Sequence, residues 1–134
     1  MANLSNYTEN LIATWLAGST ALSQLTTVYL DVYSTLPAED GTGGTSVYQT
    51  LTGSAGRKSL TTATSFTATA DQVKNNLIEL TTNAGACIIV GFAVWTANIG
   101  GSMIYYGSIT GQPINIGAGD TVRFDANAIT LTVA

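Results

Sequence analysis

The sequence predicts an all-β domain, an antiparallel β-sandwich of jelly-roll-like type, preceded by one short amphipathic α-helix. Three observations predict it. Apolar residues recur at helical spacing near the N-terminus, the period changes to two after Thr20, and turn residues then punctuate the chain at short intervals. At 134 residues the chain is the size of one ordinary domain. Residues 1–20 read as a helical anchor and residues 21–134 as the sandwich.

The helix is expected over residues 4–17. Leu4, Leu11, Ile12, Trp15 and Leu16 share one face. Asn6 followed by Glu9 has the spacing of a capping box, and Gly18 supplies a stop. So short a helix has little stability alone, so its apolar face must dock on this domain's sheet or on a neighbouring subunit.

The first strand is expected over 27–34, where Val28, Leu30 and Val32 alternate with Tyr29, Asp31 and Tyr33. Leu36-Pro37 ends it, and the glycine-rich stretch 38–44 forms a loop. Strands are expected at 46–52 and, on threonine content, at 58–69 with Leu60 and Phe66 as anchors. Residues 73–82 fit either period and are assigned to a strand. The segment 87–96 is apolar on both faces, as in a central strand covered on each side, and it buries Cys87 as an inert thiol. Asn98-Ile99-Gly100-Gly101 marks a hairpin into a return strand over 103–109. Gly111-Gln112-Pro113 turns the chain, 114–116 is a short strand, Gly117-Ala118-Gly119-Asp120 turns again, and 121–125 and 128–133 close the domain. That makes about eight strands, the pattern of a sandwich or barrel.

The composition excludes several kinds of function. There is no histidine, which removes Ser-His-Asp and Cys-His arrangements, and the single cysteine cannot build a thiolate zinc site. Of the eight acids, Asp31 and Glu79 alternate with core positions and read as a solvated strand face. Glu39-Asp40-Gly41 reads as a solvated loop without the spaced acids of a calcium site. Strand-like residues follow Gly117–Asp120, so a phosphate loop, which must open a helix, is excluded. The expectation is a chain without enzymatic activity, metal or cofactor. Four scattered basic residues cannot track a phosphate backbone, so nucleic acid is not an expected partner. Neither is a membrane: no apolar run approaches the ~20 residues of a spanning helix, and residues 1–6 lack a secretory signal. Assembly in a host cytoplasm is expected.

What remains is surface. Only 9% of residues are charged while 46% are hydrophobic, a balance suited to a protein that hides part of its surface in an assembly. Leu4, Leu11, Ile12, Trp15 and Leu16 are the candidate anchor. Arg57, beside a glycine turn, is a candidate partner for acids on a neighbouring copy. Tyr105-Tyr106 places one ring on each sheet face, so one of them is a candidate contact. Trp15, Tyr29, Tyr33, Tyr48, Trp95, Tyr105 and Tyr106 include candidates for stacking on sugars.

Several stretches resemble a family of small phage proteins described as tail-fibre-like or virion structural. They are the opening Met1-Ala2-Asn3-Leu4-Ser5-Asn6-Tyr7, then Val28-Tyr29-Leu30-Asp31-Val32-Tyr33-Ser34-Thr35-Leu36-Pro37 before a glycine-rich loop. Gly91-Phe92-Ala93-Val94-Trp95, Gly100-Gly101, Tyr106-Gly107-Ser108-Ile109-Thr110, Ile116-Gly117-Ala118-Gly119-Asp120-Thr121-Val122-Arg123-Phe124 and Ile129-Thr130-Leu131-Thr132-Val133 follow in order. The family's Tyr-x-Arg stretch is matched only in part, since Ala55-Gly56 precedes Arg57. The resemblance implies a virion component with a β-sandwich body and no catalytic residues. Joined to the composition, it favours a capsid decoration (cement) protein: a homo-oligomer, most readily a trimer, gripping the major capsid protein or other virion proteins. The alternative is a tail-fibre or baseplate module that binds host surface glycans.

Overall fold

The computed structural model describes residues 2–80, 85–109 and 114–132. The chain starts as a strand rather than a helix. Strand β1 (Ala2–Leu4) is followed by α1 (Asn6–Leu16). Ser5, not Asn6, is the N-cap: its hydroxyl accepts the Thr8 N–H at 3.3 Å, and Ser5 O accepts the Glu9 N–H at 3.0 Å. The reason is tertiary. Leu4 is in register with Tyr105, the Ser5 N–H reaches Ile104 O at 3.0 Å and its hydroxyl bonds Met103 O, so sheet pairing holds residues 2–5. Leu4 therefore belongs to the sheet and not to the helix face expected of it. Gly18, at φ 74, stops α1 as expected: it donates to Trp15 O at 2.9 Å, and Ser19 donates to Thr14 O at 2.9 Å.

Strand β2 (Thr27–Thr35) is the expected first long strand, extended by one residue. The region expected as a strand over 46–52 instead holds the short β3 (Thr45–Ser46) and then α2 (Tyr48–Thr52), which inserts Tyr48 and Leu51 into the core. Residues 58–69 are broken too, into β4 (Lys58–Thr61), the single turn α3 (Thr62–Ser65) and β5 (Phe66–Thr69). The next expected strand divides into β6 (Gln72–Asn75) and β7 (Ile78–Leu80), and its end at residues 81–82 lies outside the described residues. The break is built by Asn75. Its amide is fully buried, donates to Asp125 O at 3.0 Å and Asn76 O at 2.7 Å, and accepts the Ile129 N–H at 2.8 Å.

The apolar run 87–96 is two strands, β8 (Cys87–Ile89) and β9 (Gly91–Trp95), which change sheets at Val90. Cys87 is only partly buried, not sealed in the core as expected, though burial still raises its thiol pKa. After the expected hairpin come β10 (Met103–Ser108), β11 (Ile114–Ile116), β12 (Val122–Phe124) and β13 (Thr130–Thr132). The expected turn at 111–113 and the terminal Val133 lie outside the described residues. The Gly117–Asp120 turn forms as read, with Asp120 Oδ2 accepting the Gly117 N–H at 2.8 Å.

The fold is mostly β, as expected, with nine of the described strands in one curled sheet. Its order is β3-β2-β9-β10-β1-β13-β6-β5, with β4 also paired to β2. Two small ribbons, β8–β11 and β7–β12, supply further core residues. Pairing is antiparallel except between β1 and β13, which run parallel. Two apolar clusters lie on opposite faces of the β2-β9-β10 strands. The larger takes Val28, Leu30, Val32, Phe92 and Val94, and packs them against α2 and the ribbons. The smaller takes Tyr33, Ala93, Trp95 and Met103. A register shift between Met103 and Tyr105 turns both Ile104 and Tyr105 toward the larger cluster, while Tyr106 faces the smaller one.

Candidate assembly surface

On the smaller-cluster face the side chains lock to one another. Asp31 is 4% exposed, not on the solvated strand face expected of it. Its carboxylate accepts from the Val32 N–H at 2.9 Å, the Ser46 hydroxyl at 2.6 Å and Arg57 Nε at 3.4 Å. Arg57, its side chain 13% exposed, lies with its guanidinium carbon 4.0 Å from the centre of the Trp95 ring. Its Nη1 donates to Ala97 O and Gly100 O, both at 2.8 Å. Trp95 in turn donates its indole N–H to the Tyr33 hydroxyl at 3.1 Å. Burial first, then the Asp31 carboxylate, pushes the Tyr33 phenol well above its usual pKa. The backbone at Gly56, φ +91, favours glycine, and a Cβ there would sit 2.5 Å from Asn98 Oδ1 and displace the side chain that accepts the Arg57 N–H at 2.8 Å. Arg57 therefore pairs with an acid of its own chain. Glu79 is exposed as expected and lies 3.6 Å from Arg123 across the β7–β12 ribbon.

The other side is left open around α1. The start of the helix is fixed to β10: the Thr8 hydroxyl donates to Ile104 O at 2.7 Å, and the Asn6 N–H to Glu39 O at 3.1 Å. Leu11 and Ile12 are partly buried against the sheet. One turn further along the same face, Trp15 is 49% exposed and Leu16 73%. Except for the half-buried Thr14, residues 13–27 are exposed, and Leu22 and Leu25 present large apolar side chains there. No residue from 10 to 30 carries a charge.

Beneath the helix lies an apolar groove in two parts. A cavity of about 300 Å³ is walled by Leu4, Ile12, Leu25, Phe66, Val94 and Tyr105 among others. A second of about 190 Å³ runs along Tyr7, Leu11, Leu22 and Ile104. Leu4, Leu11, Ile12 and Tyr105 from the candidate set are thus brought together as its walls, and Trp15 and Leu16 extend beyond it. Tyr105 is 7% exposed, and burial raises its pKa. Tyr106 stands apart, half-buried in a polar recess with Glu9 and Glu39. Its phenol is raised by burial and then by those two carboxylates. Tyr33, Tyr48, Trp95 and Tyr105, named as possible sugar platforms, are buried. Among the described residues no three His, Cys, Asp or Glu side chains gather to hold a metal ion, and no helix is long and apolar enough to cross a membrane.

The comparison with known families gives a match. The model of the family described as "Podophage GP4 fiber I protein gp80" matches residues 3–132. The chain belongs to this family. It is a structural component of a phage virion, as the sequence resemblance implied. None of the curated proteins matches the chain. The matched span includes α1, the groove and the Arg57 cluster alike, so the open face is part of the fibre family's own domain.

Proposed function

We propose that this chain is a non-enzymatic module of a phage tail fibre, joined to neighbouring virion subunits through the open half of α1 and the residues that follow it. One observation carries the reading. The chain presents Trp15, Leu16, Leu22 and Leu25 to solvent on an uncharged stretch, next to an apolar groove. A contiguous apolar surface of that kind marks an interaction site rather than ordinary surface. The fibre family supports the tail over the capsid surface, so the decoration reading that composition favoured takes second place. Sugar binding is not part of the proposal, because most of the aromatic rings that could stack on a glycan are packed inside the fold.

The test is a phage carrying Trp15→Ser with Leu16→Ser in this protein. Purified particles should lack the chain, and antibody label on wild-type particles should fall on the tail. Full incorporation of the double variant would overturn the contact surface. Label over the capsid would restore the cement role.

A further inference from the structure

Tyr105 lines the larger groove cavity and is 7% exposed. Its hydroxyl has no hydrogen-bond partner among the described residues. A buried hydroxyl without a partner is costly, so a fold retains one where an incoming group supplies the bond. The remaining walls carry no charge and are apolar except for Thr8 and Thr62, whose hydroxyls already donate to Ile104 O and Leu25 O. The occupant is therefore a flat or branched apolar group with one hydrogen-bonding atom. A charged partner would have to be stripped of water there with no counter-charge.

This chain carries such a group in the open. Trp15 is half exposed, and its indole N–H has no partner among the described residues. It cannot fill its own cavity. Ile12 already lines that cavity, and Trp15 lies one rigid helical turn beyond it. Size agrees as well: a cavity of about 150 Å³ holds a benzene ring, and about 300 Å³ accommodates the larger indole. Together with Tyr7, Leu22 and Leu25 on the groove rim and Leu16 beside it, Trp15 leaves on the order of 500 Å² of apolar side chain in water, over half of the ~800 Å² that each partner buries in a stable interface.

We propose that Trp15 of one copy inserts into the groove cavity of a second copy and donates its indole N–H to the Tyr105 hydroxyl there. This rests on the fibre-assembly reading and names its partner as the chain itself. Knob and socket adjoin on one face, so two copies can exchange knobs about a two-fold axis; a one-way contact would have to close as a ring to stay finite.

Sedimentation velocity of the full chain tests it. The wild-type protein should associate in the micromolar range. Trp15→Ala should weaken association about 30-fold or more, as for a central interface aromatic. Leu25→Trp, which fills the cavity from its exposed rim, should do the same. Tyr105→Phe should weaken it about 10-fold through loss of one buried hydrogen bond. Far-UV circular dichroism verifies that each variant is folded. If Trp15→Ala and Leu25→Trp associate like wild type, or if wild type stays monomeric, the proposal is overturned. In that event, intact virions that still carry the wild-type chain leave the fibre reading standing, with another virion protein in the cavity; virions without it sink both.

Discussion

The two faces of the β2-β9-β10 strands solve opposite problems with neighbouring residues. On one, Tyr33, Trp95, Arg57 and Asp31 are joined to each other, and two backbone carbonyls accept from Arg57 Nη1. On the other, α1 covers the sheet only up to Ile12 and leaves a groove with an unbonded phenol. The first face is closed by polar groups inside one chain. The second is closed by α2 and the ribbons over most of its length and is left open, among the described residues, at the groove beside α1. The one buried carboxylate among the described residues, Asp31, is paired with Arg57 on the first face, whereas residues 10–30, which flank the groove, carry no charge; desolvating an ion at an interface costs more than burying a leucine.

That contrast can be broken most severely at the closed face. Asp31→Ala should destabilise the chain by about 2–4 kcal/mol, since it leaves a mostly buried guanidinium without its counter-ion. A urea titration should show a lower midpoint with an unchanged slope. A loss under ~0.5 kcal/mol would mean the cluster holds little.

Alkali attacks both faces through their phenols. Tyr33 and Tyr105 have pKa values raised above the ordinary value of 10.0 by burial, so the unfolded chain releases these protons first. Stability should be full below about pH 10 and fall as pH rises beyond it, by up to ~1.4 kcal/mol per pH unit for each tyrosine. Thermal melts from pH 8 to 11.5 measure it, and Tyr33→Phe should flatten the slope.

A smaller effect is expected where the two faces meet α1. Ser5→Ala removes the N-cap and the bond to Met103 O. It should cost about 1–2 kcal/mol. The smallest effect on folding belongs to the open face. Trp15→Ser with Leu16→Ser should change stability by no more than ~0.5 kcal/mol, as for exposed positions, while removing assembly.

The sequence disclosed what local periodicity encodes. The alternation in 27–35 and 91–95 and the stop at Gly18 carry the central strands and the helix end. It missed what distant pairing decides. Leu4 reads as helical because nothing near it reveals β10 and β13 as its neighbours. Asn75 looks like a turn residue, yet it is a buried hub whose partners lie some 50 residues away. Asp31 alternates like a surface acid, and only the fold brings Arg57 and Ser46 to it. One missed element did leave a signal: Val47, Tyr48 and Leu51 have helical spacing, as α2 uses them. For the assembly surface, Leu11, Ile12, Trp15 and Leu16 were legible from helical spacing. The groove itself was not, because its walls come from several distant strands.

The chain has two tryptophans, one on each face, so 19F NMR of protein labelled with 5-fluorotryptophan reads both at once. As concentration rises and the protein assembles, the Trp15 resonance should shift and broaden while that of Trp95 stays fixed. A Trp95 resonance that moves with assembly while Trp15 remains solvent-like would contradict the division between a face that locks the fold and a face that joins the fibre.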